Sequence, residues 1–243
     1  MFHNIIFCIF ACDTIERYKQ QIAKIEQTWG KSDAIKILFF LGENGPLVGE
    51  NYIHLENVAN DYLSAADKQY LGIKYVHDHF NYRYLYVCGT DAFVLVNNLL
   101  NFIEPLPSDN AFIMGGHGDT RIICNQHIHY FAGGPGFILT KKAVQLLYPK
   151  LSSMQSEWLD ICVANNYLTY IPACDLSICY FLKQLGVPII NVPNRFFNCN
   201  YRGYNNTPRG SLKCCTQSID YGTMIACHNM TPSDFDTLHK LVS

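Results

Sequence analysis

The sequence predicts an α/β fold in which a mixed, mainly parallel sheet is sandwiched by helices. Three observations predict it. Apolar, aromatic runs of strand length alternate with stretches of helical spacing from the start of the chain. Repeated strand–helix–strand units call for parallel strands joined by helical crossovers. Hydrophobic residues make up 49% of the chain and charged ones 16%, enough apolar material for a buried core.

The elements follow in order. His3 to Ala11 reads as the first strand. Asp13 with Glu16 forms a capping-box pattern that would open a helix. Ile15, Tyr18, Ile22, Ile25 and Trp29 recur at spacings of three and four, on one helical face. Ile35 to Leu41 is a second strand closed by Gly42. Ser64 with Asp67 opens a second helix that carries Leu71, Tyr75 and Val76 towards Phe80. Tyr82 to Cys88 is a third strand, stopped by Gly89-Thr90-Asp91 before an apolar run resumes. Further on, Ala111 to Met114 and Ile128 to Phe131 read as strands. AGGPGFILTKKAV, from Ala132, turns sharply and leads through a short strand into a helix that Thr140 can cap. Asp175 starts another helix, ended by Gly186 and Pro188. The segment 198–218 is rich in Asn, Gly, Arg and Tyr and reads as a long loop. Thr231-Pro232-Ser233-Asp234 is a helix start with cap, proline and acid in place. No repeat, low-complexity tract or linker divides the chain. The expectation is a single domain over residues 1–243.

Bulk properties exclude several classes. A net charge of -2 leaves no basic footprint for nucleic acid. No apolar run reaches the roughly 18 residues that span a bilayer. The opening MFHNIIFCIFACDT has neither a basic leader nor a small-residue cleavage site, and reads as a strand. Several of the eleven cysteines, Cys8, Cys12 and Cys88 among them, fall in apolar runs and no CxxC pair occurs. Such thiols pack as small hydrophobes, and reduced thiols are the default without a leader. The adjacent Cys214 and Cys215 in a polar loop are the exception. Asn205 and Asn229 begin glycosylation acceptor patterns, which matter only in a secreted chain.

Ligands of open α/β sheets bind beyond the carboxyl ends of the strands. Asp91 lies just past such an end, beside Gly89. A carboxylate there suits a hard cation bridging a diphosphate; it also suits a plain chain reversal.

Five segments, in order along nearly the whole chain, resemble the β1,3-glycosyltransferases related to core 1 galactosyltransferase and Fringe (glycosyltransferase family 31). They are TWG at Thr28, IKYVHDHFNYRYLYVCGTDAFVLVNNL from Ile73, AGGPGFILTKKAV from Ala132, CDLSICYFLKQLGV from Cys174, and KCCTQSIDYGTMIACHNMTP from Lys213, which includes the double cysteine. The resemblance implies the GT-A fold and inverting transfer of a hexose from a UDP-sugar to a hydroxyl of a glycan or glycoprotein. It also implies a Mn²⁺ (or Mg²⁺) ion on the diphosphate.

In that family the strand ends in three aspartates, the last of which binds the metal. Here only Asp91 is retained, after Gly89 and Thr90, so the site carries less negative charge. His228 matches the family's second metal ligand, and an imidazole with a carboxylate suits Mn²⁺. Asp175 matches the catalytic base, next to Cys174 where the family has Glu; the same Asp is also an ideal helix cap. Lys68 matches a lysine that contacts the nucleotide, or is an exposed helix lysine. Asp13 sits where such folds hold the nucleoside, or is a cap. Gly133 and Gly134 suit a backbone passing close to the donor sugar, or a tight turn. The stretch RFFNCNYRGY from Arg195 could stack on an acceptor sugar, or pack as a loop.

Two rival expectations follow from the reduced aspartate motif. One is a binding protein that keeps the fold without turnover. The other is a transferase that uses cations of the protein in place of a metal. A chain starting at Met before its first strand reads as a soluble enzyme of a reducing compartment, viral or bacterial, or as a Golgi enzyme freed of its anchor. No membrane span, no nucleic acid and an optional homodimer complete the expectations.

Overall fold

The computed structural model describes residues 2–61, 63–116, 118–207, 210–213 and 219–243. The first half runs β1 (Phe2–Phe10), α1 (Glu16–Gln27), a 3-10 turn at Trp29–Lys31, β2 (Lys36–Leu41), β3 (Tyr52–His54), α2 (Ala65–His79), β4 (Asn81–Gly89), β5 (Phe93–Val94) and α3 (Val96–Ile103). The second half runs β6 (Ile113–Gly115), β7 (Asp119–Ile123), β8 (Gln126–Tyr130), β9 (Phe137–Thr140), α4 (Lys141–Leu147), α5 (Met154–Ala164) and α6 (Cys174–Gln184). It closes with β10 (Ile189–Asn191), β11 (Phe196–Phe197), β12 (Tyr204–Thr207), β13 (Gly210–Lys213), β14 (Ala226–Cys227) and α7 (Pro232–Val242).

Seven strands form the central sheet in the order β10-β6-β9-β4-β1-β2-β3. All neighbours are parallel except β9, which runs antiparallel to both β4 and β6. Both faces are covered. Ile5, Phe7 and Ile9 of β1 point into the apolar layer that holds α1, α3 and α7. Ile6 and Cys8 point into the layer that holds α2, α4, α5 and α6. A strand buried on both faces has no polar side, which is why these runs read as continuously apolar.

Several local expectations hold. Thr140 caps α4 by accepting from the Ala143 N–H at 3.2 Å. Thr231 and Asp234 form a full capping box at α7, an arrangement worth about 1 kcal/mol. Trp29 is core, its ring tilted against Phe7 with centroids 5.3 Å apart. Gly186, at φ +73°, ends α6 in the left-handed region that glycine tolerates.

Others are corrected. Asp13 does not cap α1: the cap position is Ile15, and it has no side-chain cap bond. The Asp13 carboxylate instead accepts from the Leu47 N–H at 2.8 Å and from Asn60 Nδ2, tying together the loops after β2 and β3. Asp175 is not the cap of α6, because the helix begins one residue earlier, with Ala173 at the cap position. Ser64 stands at the cap of α2, but its hydroxyl donates to Asp61 Oδ1 rather than capping. The strand expected at Ile128 belongs to a β7–β8 hairpin, whose turn residues Cys124 and Asn125 take φ of 46° and 61°. Part of the expected 198–218 loop forms the β12–β13 hairpin, while the expectations for Cys214 and Cys215 lie outside the described residues. The aromatic stretch from Arg195 packs: Phe196, Cys199 and Tyr201 are buried, with Phe196 stacked on Tyr86.

Cys8, Cys12, Cys88, Cys124, Cys162, Cys174, Cys179 and Cys227 are free thiols. Among the described residues, no helix is long and apolar enough to cross a membrane.

Candidate active site

A cleft of about 490 Å³ opens at the carboxyl ends of β1 and β4. Asp91 reaches it because β4 ends at Gly89 and the chain turns before β5. His228 reaches it because β14 pairs antiparallel with β5, Cys227 opposite Phe93. That two-residue pairing delivers residue 228 beside residue 91. The Met230 N–H then donates to the Asp91 carbonyl at 3.0 Å and fixes the register. His228 Nε2 lies 3.2 Å from Asp91 Oδ2. The other ring nitrogen, Nδ1, faces Asn198 Oδ1 at 3.0 Å and the Asn229 amide at 3.1 Å.

Burial pushes the Asp91 carboxyl upward, but the His228 imidazole and the Arg17 guanidinium outweigh it and hold the group below the usual aspartate range. Asp91 is therefore a carboxylate at neutral pH. Thr90, in the place of a family aspartate, is turned inward: its hydroxyl donates to Gln21 Oε1 at 2.8 Å, and it is buried.

Asp175 faces the same cleft from the first turn of α6. Its Oδ2 accepts from the Gly133 N–H at 2.8 Å and its Oδ1 from the Leu176 N–H at 2.8 Å. Burial raises its carboxyl above the usual range, while these backbone N–H groups pull the other way. A carboxylate made more basic by burial and placed in a cleft has the character of a general base.

The loop from Gly133 to Gly136 lies between the two sides. A Cβ at Gly134 would overlap the His228 imidazole, and a Cβ at Gly133 would sit 3.0 Å from Asp175 Cβ. Glycine is required here because side chains from both halves close onto the loop backbone. Gly136 adds a turn at φ +93°, and the Tyr86 hydroxyl beneath it donates to the Pro135 carbonyl at 2.7 Å.

Lys68 is no exposed helix lysine. It is 1% exposed, borders the cleft, and its Nζ donates to the Asp61 carbonyl at 3.0 Å. Burial lowers its pKa, partly offset by Cys12, Asp61 and Asp13. A buried ammonium is costly without anionic company. Cys174 beside Asp175 also lines the cleft, and burial raises its thiol to about 12, so it stays protonated.

Lys68, Gly89, Asp91, Gly133, Gly134, Asp175 and His228 all line this one cleft. Asp13 does not. Arg17 and Gln69 also line it and carried no motif signal, and Asn229 lines it too. The acceptor pattern at Asn229 thus falls within the cleft wall, where a glycan would obstruct it.

Among the described residues, no group of three or more His, Cys, Asp or Glu side chains is gathered as a metal cage. The donor set is the oxygen–nitrogen pair Asp91 and His228. It fits a hard divalent cation only where further oxygens come from a bound ligand, as diphosphate oxygens would.

No family model matches the chain. Over 157 residues, 60% of the chain, it is 22% identical to human chondroitin sulfate synthase 3; the match to the mouse protein is also 22% identical, over 159 residues. The chain spans 17% of the length of these relatives. Among solved structures it is similar to a glycosyltransferase involved in the glycosylation of the major capsid of PBCV-1. The TM-score is 0.53, with 98% of this chain and 100% of that chain covered, at 9% identity. That likeness is one of architecture: this chain has an α/β, Rossmann-like GT-A fold.

Proposed function

We propose that this protein is an inverting glycosyltransferase that moves a hexose from a UDP-sugar to a hydroxyl of a glycan or glycoprotein, forming a β1,3 linkage. Galactose, N-acetylglucosamine and glucose are the candidate sugars. The observation that carries the reading is the placement of the Asp91–His228 pair and Asp175 around one glycine loop, at the carboxyl ends of parallel strands. The weak similarity to chondroitin sulfate synthase 3 supports the same class of chemistry.

In this reading Asp91 and His228 would hold Mn²⁺ or Mg²⁺ together with the UDP diphosphate. The cation supplies charge stabilisation to the departing diphosphate. Lys68 adds a buried positive charge on the same side. Asp175 accepts the proton of the acceptor hydroxyl. The oxygen so freed attacks the anomeric carbon from the face opposite UDP. As that bond forms, the bond from the anomeric carbon to the phosphate oxygen breaks, its electron pair leaves with UDP, and the configuration inverts. The Gly133 and Leu176 N–H groups orient the carboxylate throughout.

Removing the base tests this directly. Asp175→Asn is expected to lower turnover by about 10²- to 10⁴-fold while UDP binds as tightly as before. Turnover near that of the unaltered protein would sink the assignment. A second reading is favoured by Arg17, whose guanidinium acts on Asp91: with Lys68 it could meet the diphosphate without a metal. Turnover that survives EDTA in full would select it.

A further inference from the structure

The proposed mechanism leaves one buried polar group of the cleft without a task. Gln69, on α2 next to Lys68, is 1% exposed and borders the cleft. Its Nε2 donates to Cys174 Sγ at 2.7 Å, while its Oε1 has no hydrogen-bond partner. Turning the amide over would exchange the two ends and leave Nε2 unpaired instead. In either orientation one end is anchored on Cys174 and the other is bare. A buried amide group left unpaired costs free energy that a ligand's hydrogen bond restores.

The position says which part of a ligand is near. Gln69 lines the same cleft as Lys68, whose ammonium suits a diphosphate, and its amide is anchored on Cys174, directly before the base Asp175. In the donor reading, the group lying between the diphosphate and the base is the transferred sugar. We propose that Gln69 is a specificity-determining residue that hydrogen-bonds a hydroxyl or acetamido group of the transferred hexose, with Cys174 as the positioning residue that fixes its amide. This rests on the donor reading above.

The expectation separates the sugar from the nucleotide. Calorimetry with Mn²⁺ would measure UDP, UDP-galactose, UDP-N-acetylglucosamine and UDP-glucose against the wild type, Gln69→Leu and Gln69→Met. Both replacements are close to Gln in size and fill the buried space. UDP should bind all three proteins alike, while the preferred UDP-hexose weakens about tenfold in both variants, the loss expected when a buried hydrogen-bonding site meets its substrate with the partner missing. Cys174→Ala should move the same ratio in the same direction, by less. An unchanged ratio of UDP-hexose to UDP affinity, including a parallel loss of both, overturns the proposal and leaves the donor site standing. Failure of the wild type to bind UDP removes the donor site itself, and this proposal with it.

Discussion

At the scale of single residues, Asp91 and Asp175 show how one cleft shifts two carboxyl groups in opposite directions. Both are half-buried, and desolvation alone would raise both. Asp91 has an imidazole and a guanidinium nearby and falls below the usual range; Asp175 has only backbone N–H groups and rises above it. The consequence for pH has a definite sign. The base works as a carboxylate, so activity is lost as pH falls through its raised pKa. At saturating donor and metal, the acidic limb of kcat/KM for the acceptor should lie above the ordinary aspartate value of about 4. UDP affinity measured over the same range separates this limb from any loss at Asp91 and His228. A limb at or below the ordinary value, with UDP affinity constant, would contradict the assignment. Asp91, Asp175 and His228 were legible in the sequence from motif position. Gln69 and Arg17 were not, because a polar residue on a helix gives no sign of whether it faces a cleft or solvent. The burial of Lys68 was hidden for the same reason.

At the scale of elements, the site depends on two small features that hydropathy does not reveal. One is the pairing of β5 with β14. Two-residue strands have no period to detect, yet this pairing, with the Met230–Asp91 backbone bond, brings residues 91 and 228 together. The other is the loop from Gly133 to Gly136. Its glycines stood out in the sequence, and a close backbone approach to a sugar or a tight turn both seemed adequate reasons. The structure adds a different one, since Gly134 lies against the His228 ring and Gly133 against Asp175. Gly134→Ala should therefore displace His228 and weaken Mn²⁺-dependent UDP binding by tenfold or more, taking about 1.4 kcal/mol as the cost of each tenfold step. Circular dichroism should stay native-like. Full-strength UDP binding in that variant would show that the ring position does not matter. The capping signals at Thr140 and Thr231 were read correctly because a cap is a local hydrogen bond written in adjacent residues. The cap expected of Asp13 failed because its carboxylate is captured by Leu47 and Asn60, far away in the chain.

At the scale of the whole molecule, the α/β architecture was legible because β1, β2 and β4 sit in the middle of the sheet, apolar on both faces. The far half was harder to read. There β6, β9 and β10 are short, and β9 reverses direction between parallel neighbours. The reversal shapes the cleft: β9 starts where β4 ends, which brings the glycine loop and, through it, Asp175 to the carboxyl end of β4. The central claim is that this junction is a donor site held by Asp91 and His228. Calorimetric titration of UDP with Mn²⁺, repeated in EDTA and with Asp91→Ala, tests it most directly. Micromolar binding that needs the metal and disappears in the variant is the predicted result; no UDP binding in either buffer would contradict the account.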